Sequence, residues 1–124
     1  IADEVIPALL GRTTLDSRPS VVERVRAMAE ANSPAGIAGG QRGMAERRDS
    51  TNLLADVDCT ALIIVGSEDA LTPPAEAEAL HNGLRGSRLC VIPAAGHLSN
   101  MEQPQEFNAA LAEFLASVKT SGKL

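Results

Sequence analysis

Ala61-Leu62-Ile63-Ile64-Val65-Gly66-Ser67-Glu68-Asp69-Ala70-Leu71-Thr72-Pro73-Pro74 is the stretch on which the reading of this chain turns. Its continuous apolar run, ended by Gly66, has the pattern of a parallel strand buried on both faces. Pro73 and Pro74 mark a helix start, where missing N–H groups cost little. Ala77, Leu80 and Leu84 supply that helix with an apolar face to about Leu84, and Gly83 and Gly86 end it. Leu89-Cys90-Val91-Ile92 is the next buried strand, closed by Pro93, and Ala94-Ala95-Gly96-His97 forms the loop beyond it. Strand, helix and strand at this spacing imply a right-handed crossover between neighbouring parallel strands. The expected fold class is therefore α/β.

Outward from this unit the pattern turns helical. Phe107, Ala110, Leu111, Phe114, Leu115 and Val118 fall on one stripe after Pro104 and predict a last helix that covers a sheet face. Residues 120–124 form a polar tail expected to fray. Upstream, Val21, Val25 and Met28, with Val22 and Ala29 alongside, make an apolar helical stripe, and Ser20 is expected to cap that helix. A second helix is expected over residues 35–48. Gly36, Gly39, Gly40 and Gly43 each cost up to about 1 kcal/mol there, so its stability must come from packing. Residues 49–58 are a polar connection with Leu53 and Leu54 inserted.

A length of 124 residues fits one compact unit. With 44% hydrophobic and 22% charged residues the composition is globular, and no segment approaches the roughly 18 apolar residues of a membrane span. A net charge of −5 without a basic stripe argues against nucleic acid, since phosphate binding needs clustered Lys and Arg. With Phe107 and Phe114 as the only aromatics, stacking platforms are missing too. Cys59 and Cys90 lie in or beside apolar runs and are expected to be core fillers in a reducing compartment, hence the cytoplasm. Neither they nor His81 and His97 have the short paired spacings of a zinc site.

In open parallel sheets, catalytic groups gather at the carboxyl ends of the strands. Two loops leave those ends here, one carrying Asp69 and the other His97. A carboxylate meeting an imidazole there fixes the ring's tautomer and stabilises the imidazolium during acyl transfer. Other readings stay open: Asp69 also suits a cap on the turn before Pro73, Glu68 is an adjacent candidate acid, and His97 alone suits an ordinary loop histidine. His81 is expected at the surface without a role. Met28 and Met44 are expected to pack the helical region, whereas Leu71 and Leu98 are the candidates to line an apolar substrate pocket.

The run from Ala61 to Pro73, followed by that from Val91 to Pro104, resembles the final third of α/β-hydrolases. Gly66, Asp69 and Pro73 match the family's G-x-x-D-x-x-x-P segment, Gly96 and His97 its G-H segment, and Glu102, Pro104 and Phe107 the helix after the base. The resemblance covers residues 50 to 118, and the helical residues 1–50 look similar to the end of the lid inserted before that region. It implies a domain split into 1–50, lid, and 51–124, C-terminal core. Within the family, the run from Met44 to Ser50 and the approach from Asp56 to Ala61 are most similar to the 3-oxoadipate enol-lactonase-like branch.

What the resemblance implies is a Ser-His-Asp hydrolase of carboxylic esters or lactones without metal or organic cofactor, Asp69 being the acid and His97 the base. The family's G-x-S-x-G elbow is missing from the sequence: Ser67 and Ser87 each follow a glycine, but neither has the second glycine two residues on. The chain is thus expected to begin after the nucleophile and to be inactive alone. Cys59-Thr60-Ala61 also departs from the family's proline-containing approach to that strand. The competing expectation is a non-catalytic interaction module, and related sites also support dehalogenation, perhydrolysis and acyl transfer. With only two strands and an uncovered edge, a homo-oligomer is expected in either case.

Overall fold

The computed structural model of the chain describes residues 2–121. Four helices come first: α1 (Ala2–Leu9), α2 (Arg12–Ser17), α3 (Pro19–Glu30) and α4 (Pro34–Ala45). A 3-10 turn at Thr51–Asp56 leads to β1 (Ala61–Gly66), α5 (Pro74–Gly83) and β2 (Ser87–Ile92). The short α6 (Ser99–Glu102) and the long α7 (Pro104–Ser121) complete the order. β1 and β2 pair in parallel from Ala61 opposite Ser87 to Gly66 opposite Ile92, so both strands end at one level. The expected strand-helix-strand-helix series is present.

The strands are less enclosed than their apolar runs predict. Val65 and Ile92 are buried, but residues 61–64 are half-buried and Val91 is 44% exposed. The reason is the width of the sheet: among the described residues it has two strands, so each has an unpaired edge. α7 behaves likewise. Val118 is buried and Phe107, Ala110 and Phe114 are half-buried, while Leu111 and Leu115 lie on its exposed side. Of the tail expected to fray, residues 120 and 121 continue α7, and 122–124 lie outside the described residues.

The best-enclosed apolar cluster lies between the N-terminal helices and the region after β2. Ile6, Leu10 and Val25 form its centre, and Leu9, Leu15, Val21, Val22, Leu98 and Met101 pack against it. The Val21–Val25 stripe of α3 therefore behaves as its spacing predicts, but Met28 at its end is 53% exposed. α3 starts two residues earlier than a Ser20 cap requires: Arg18 is the N-cap residue and Pro19 opens the helix, where its fixed φ suits the first turn. α4 is capped by Ser33, whose hydroxyl accepts the Gly36 N–H at 3.1 Å. The packing expected to offset the glycines of α4 is not found. None of its residues is buried, Met44 is 60% exposed, and added Cβ atoms at Gly39, Gly40 and Gly43 would meet nothing within 4 Å.

Two further expectations are corrected. Cys59 is exposed rather than a core filler, because it precedes β1 where no element covers it; Cys90, on β2, is half-buried. His81 is half-buried rather than on the surface, with its Nδ1 2.8 Å from the Ser87 hydroxyl at the start of β2. No helix among the described residues is long and apolar enough to cross a membrane.

Candidate active site

Because β1 and β2 end in register, the loops that leave them start side by side and are zipped together. Ser67 N–H donates to the Ile92 carbonyl at 2.9 Å and Glu68 N–H to the Ala95 carbonyl at 2.8 Å. Ala94 stands in the left-handed region at φ 53°, a cost of order 1–3 kcal/mol for a residue with a Cβ. Side chains from both directions hold it there: the Ser67 hydroxyl accepts the Ala94 N–H at 3.1 Å, and Gln103 Nε2 donates to the Ala94 carbonyl at 3.1 Å. Gly66 is required by this approach, since a Cβ there would overlap the Ala95 and Gly96 carbonyl oxygens.

Asp69 and His97 meet above these ends. Asp69 Oδ2 lies 2.9 Å from His97 Nδ1, with the aspartate side chain 4% exposed and the ring 36% exposed. Asp69 also caps its own turn. Its Oδ1 accepts the N–H groups of Leu71 and Thr72, each at 2.9 Å, and Oδ2 accepts the Thr72 hydroxyl at 2.9 Å. Asp69 therefore caps its turn, mainly through Oδ1, while Oδ2 faces the His97 ring as well as the Thr72 hydroxyl. Burial disfavours the charged form of this carboxyl. The Thr72 N–H, the His97 ring and the Thr72 hydroxyl outweigh it and hold Asp69 below its ordinary pKa. Thr72 Oγ1 is also 3.2 Å from His97 Nδ1, so it borders both partners. The sequence signal for Thr72 was the Asp-x-x-Thr spacing of a side-chain-capped turn.

Glu68 is engaged elsewhere. Its Oε2 accepts the Thr13 N–H at 2.8 Å and its Oε1 the Thr13 hydroxyl at 2.6 Å, at the start of α2. Glu102 is fully buried, with Oε1 accepting the Gly96 N–H at 2.9 Å and Oε2 the Gly11 N–H at 2.8 Å. The Leu9 carbonyl accepts the N–H groups of His97 and Leu98 at 3.0 and 3.3 Å. Arg18 donates to the Glu102 carbonyl and, at 2.9 Å, to Gln103 Oε1. Gly11, Thr13, Arg18 and Ser67 carry no local signal of these roles, because their partners are 27 to 91 residues away.

The two leucines expected to line a pocket are placed differently from one another. Leu98 packs against the Ile6, Leu10 and Val25 cluster, and Leu71 is 50% exposed. A cavity of about 310 Å³ beside Asp69 and His97 is bordered instead by Ile63, Ile64, Val65 and Leu80, along β1 and α5. A larger cleft of about 550 Å³, between the end of α4, the 3-10 turn and α5, contains neither Asp69 nor His97. No cluster of three or more metal-ligating side chains is found among the described residues.

A parallel strand-helix-strand unit that ends in a buried aspartate on a histidine ring, with helices packed before it, defines the C-terminal part of an α/β-hydrolase. The chain belongs to this class through the family described as TAP-like protein, whose model matches residues 25–123. It is similar to a thermophilic esterase from Thermogutta terrifontis, with 44% identity and a TM-score of 0.90 over 94% of this chain and 43% of that one. It is 39% identical over 74 residues to the pimeloyl-[acyl-carrier protein] methyl ester esterase of Neisseria meningitidis, covering 60% of this chain and 29% of that protein. The enol-lactonase of Burkholderia xenovorans LB400 shares the fold, with a TM-score of 0.84 at 24% identity, over 93% of this chain and 44% of that one. The chain thus spans less than half the length of each of these relatives.

Proposed function

We propose that the chain supplies the acid and the base of a Ser-His-Asp hydrolase acting on a carboxylic ester or lactone. The observation that carries this reading is the 2.9 Å contact between Asp69 Oδ2 and His97 Nδ1 above two adjacent parallel strands. With Nδ1–H directed at Asp69, Nε2 is the basic nitrogen of the neutral ring. It removes the proton of an attacking serine hydroxyl and returns it to the leaving alkoxide. Asp69 stays ionised throughout, holding the ring's orientation and stabilising the imidazolium. The hydroxyl comes from outside the 124 residues, which contain no G-x-S-x-G run. In this reading residues 1–50 are the end of a lid and 51–124 part of the catalytic core. The cytoplasm is the expected compartment on the strength of two unpaired cysteines.

Two assays test the proposal with a short-chain activated aryl ester. The chain alone should hydrolyse it no faster than its His97→Ala and Asp69→Ala variants; activity lost in both would reveal a nucleophile within these residues. Joined behind the N-terminal part of the Thermogutta esterase, the chain should become active, and either substitution should then lower kcat by about 10⁴-fold or more. An active chimera indifferent to both substitutions would end the acid-base assignment.

The two unpaired sheet edges support a second proposal, that the isolated chain associates with a copy of itself, since a two-stranded sheet is marginal and its edges template pairing. Light scattering decides it: a folded, strictly monomeric species contradicts self-association.

A further inference from the structure

Glu102 is the feature that the acid-base reading leaves unexplained. A carboxylate with no exposed surface is costly unless its oxygens are satisfied, and no ion pair is found at Glu102 among the described residues. Each oxygen instead takes one backbone N–H, from Gly96 in the base loop and from Gly11 at the start of α2. The two backbones meet directly: a Cβ at Gly96 would overlap the Gly11 nitrogen, and one at Gly11 would lie 2.8 Å from the Gly96 nitrogen. Glu68, next to Asp69 in the chain, reaches the same segment through Thr13. The His97 N–H adds a bond to the Leu9 carbonyl. Residues 9–13 are consequently bonded to the loop of the acid and to the loop of the base, 55 to 91 residues further along.

We propose that residues 9–13 are a shared anchor for the Asp69–His97 pair, with Glu102 the positioning residue that joins the anchor to the base. The inference rests on the acid-base reading of that pair. Its physical content is that a single carboxylate spans two N–H groups that cannot bond to one another. Neutral replacements lack this: Gln offers one acceptor and turns an NH₂ toward the other N–H, while Ala leaves both donors unsatisfied. Gly96 then shifts, and His97, its neighbour, leaves the register that puts Nδ1 on Asp69. A group held through such a supporting shell moves when the shell is removed, even if the fold survives.

The test reads the pair itself. In the 124-residue chain, proton NMR should show a low-field His97 Nδ1–H resonance that Asp69→Asn abolishes. If no Asp69-dependent resonance exists, the acid-base reading fails and the positioning role falls with it. Given that resonance, Glu102→Gln should lose it while keeping its far-UV circular dichroism, and the Asp69 carboxyl should titrate at higher pH than in the unsubstituted chain. Val25→Ala, a cavity in the neighbouring apolar cluster, should lower the melting temperature but keep the resonance. A folded Glu102→Gln chain with the resonance and the Asp69 titration intact overturns the proposal, as does a Val25→Ala chain that loses both. Should Glu102→Gln not fold, amide exchange in the unsubstituted chain decides: the Gly11 and Gly96 amides should open together, and the Nδ1–H resonance should vanish with them. A resonance that outlasts exchange at Gly96 overturns the anchor.

Discussion

α4 and residues 9–13 are opposite in how they belong to the molecule. The twelve residues of α4 form a well-capped helix in which nothing is buried and three glycines face open space. Residues 9–13 barely start a helix, yet they are hydrogen-bonded to the loops of Asp69 and of His97, and the backbone of Gly11 lies against that of Gly96. Regular structure and structural importance are thus separate properties here. The first comes from local bonding and the second from what distant backbone requires.

The comparison breaks most readily at its tight end. Gly96→Ala pushes a Cβ into the backbone of residues 10 and 11, which has no flexible end to move aside. It should cost at least the upper part of the usual 1–3 kcal/mol range for overpacking, about 3 kcal/mol, read as a lower denaturation midpoint. A midpoint within error of the unsubstituted chain would show that the two segments do not touch.

Asp69 sharpens the comparison through pH. Its carboxyl is held below the ordinary value of 3.8, so its stabilisation of the folded state is fully present above about pH 4 and is lost as pH falls through the lowered folded value. The melting temperature of the chain should therefore exceed that of Asp69→Asn at pH 6, with the gap closing progressively below about pH 4. A gap that stays constant into acid would mean that the carboxyl is not held in its ionised form.

At the loose end the sign reverses. Gly40→Ala meets no atom within 4 Å and adds helix propensity, so it should stabilise by up to about 1 kcal/mol, in contrast to the same substitution at position 96. Destabilisation there would mean that α4 is packed. The smallest effect is expected at Thr14, whose buried hydroxyl has no hydrogen-bond partner among the described residues. Thr14→Val should leave stability within about 1 kcal/mol or raise it, since no bond is lost and an unsatisfied group is removed.

Much of the site was legible before its geometry. The apolar runs of residues 61–65 and 89–92, each ended by a glycine or proline, predict two strands, and the loops beyond them carry Asp69 and His97. The choice between Asp69 and Glu68 was less accessible, because both are carboxylates in one loop. It depends on Thr13, 55 residues upstream, which takes both oxygens of Glu68 and leaves Asp69 to face the ring. Glu102 was visible as a match to a helix pattern but not as a buried bridge. Leu98, expected to line a pocket, packs against a helical cluster instead, since that cluster forms from residues 6, 10 and 25.

By itself the sequence determined the order of strands and helices, the family, and the placing of an aspartate and a histidine after successive parallel strands. Hydrophobic periodicity and turn chemistry act over a few residues, so they can be read along the chain. Tertiary structure alone decided which carboxylate meets the imidazole, which one joins the base loop to α2, and which helix stays unpacked. Those outcomes depend on which unsatisfied N–H groups and which surfaces lie opposite one another, and such groups come together only when segments far apart in the chain fold against each other.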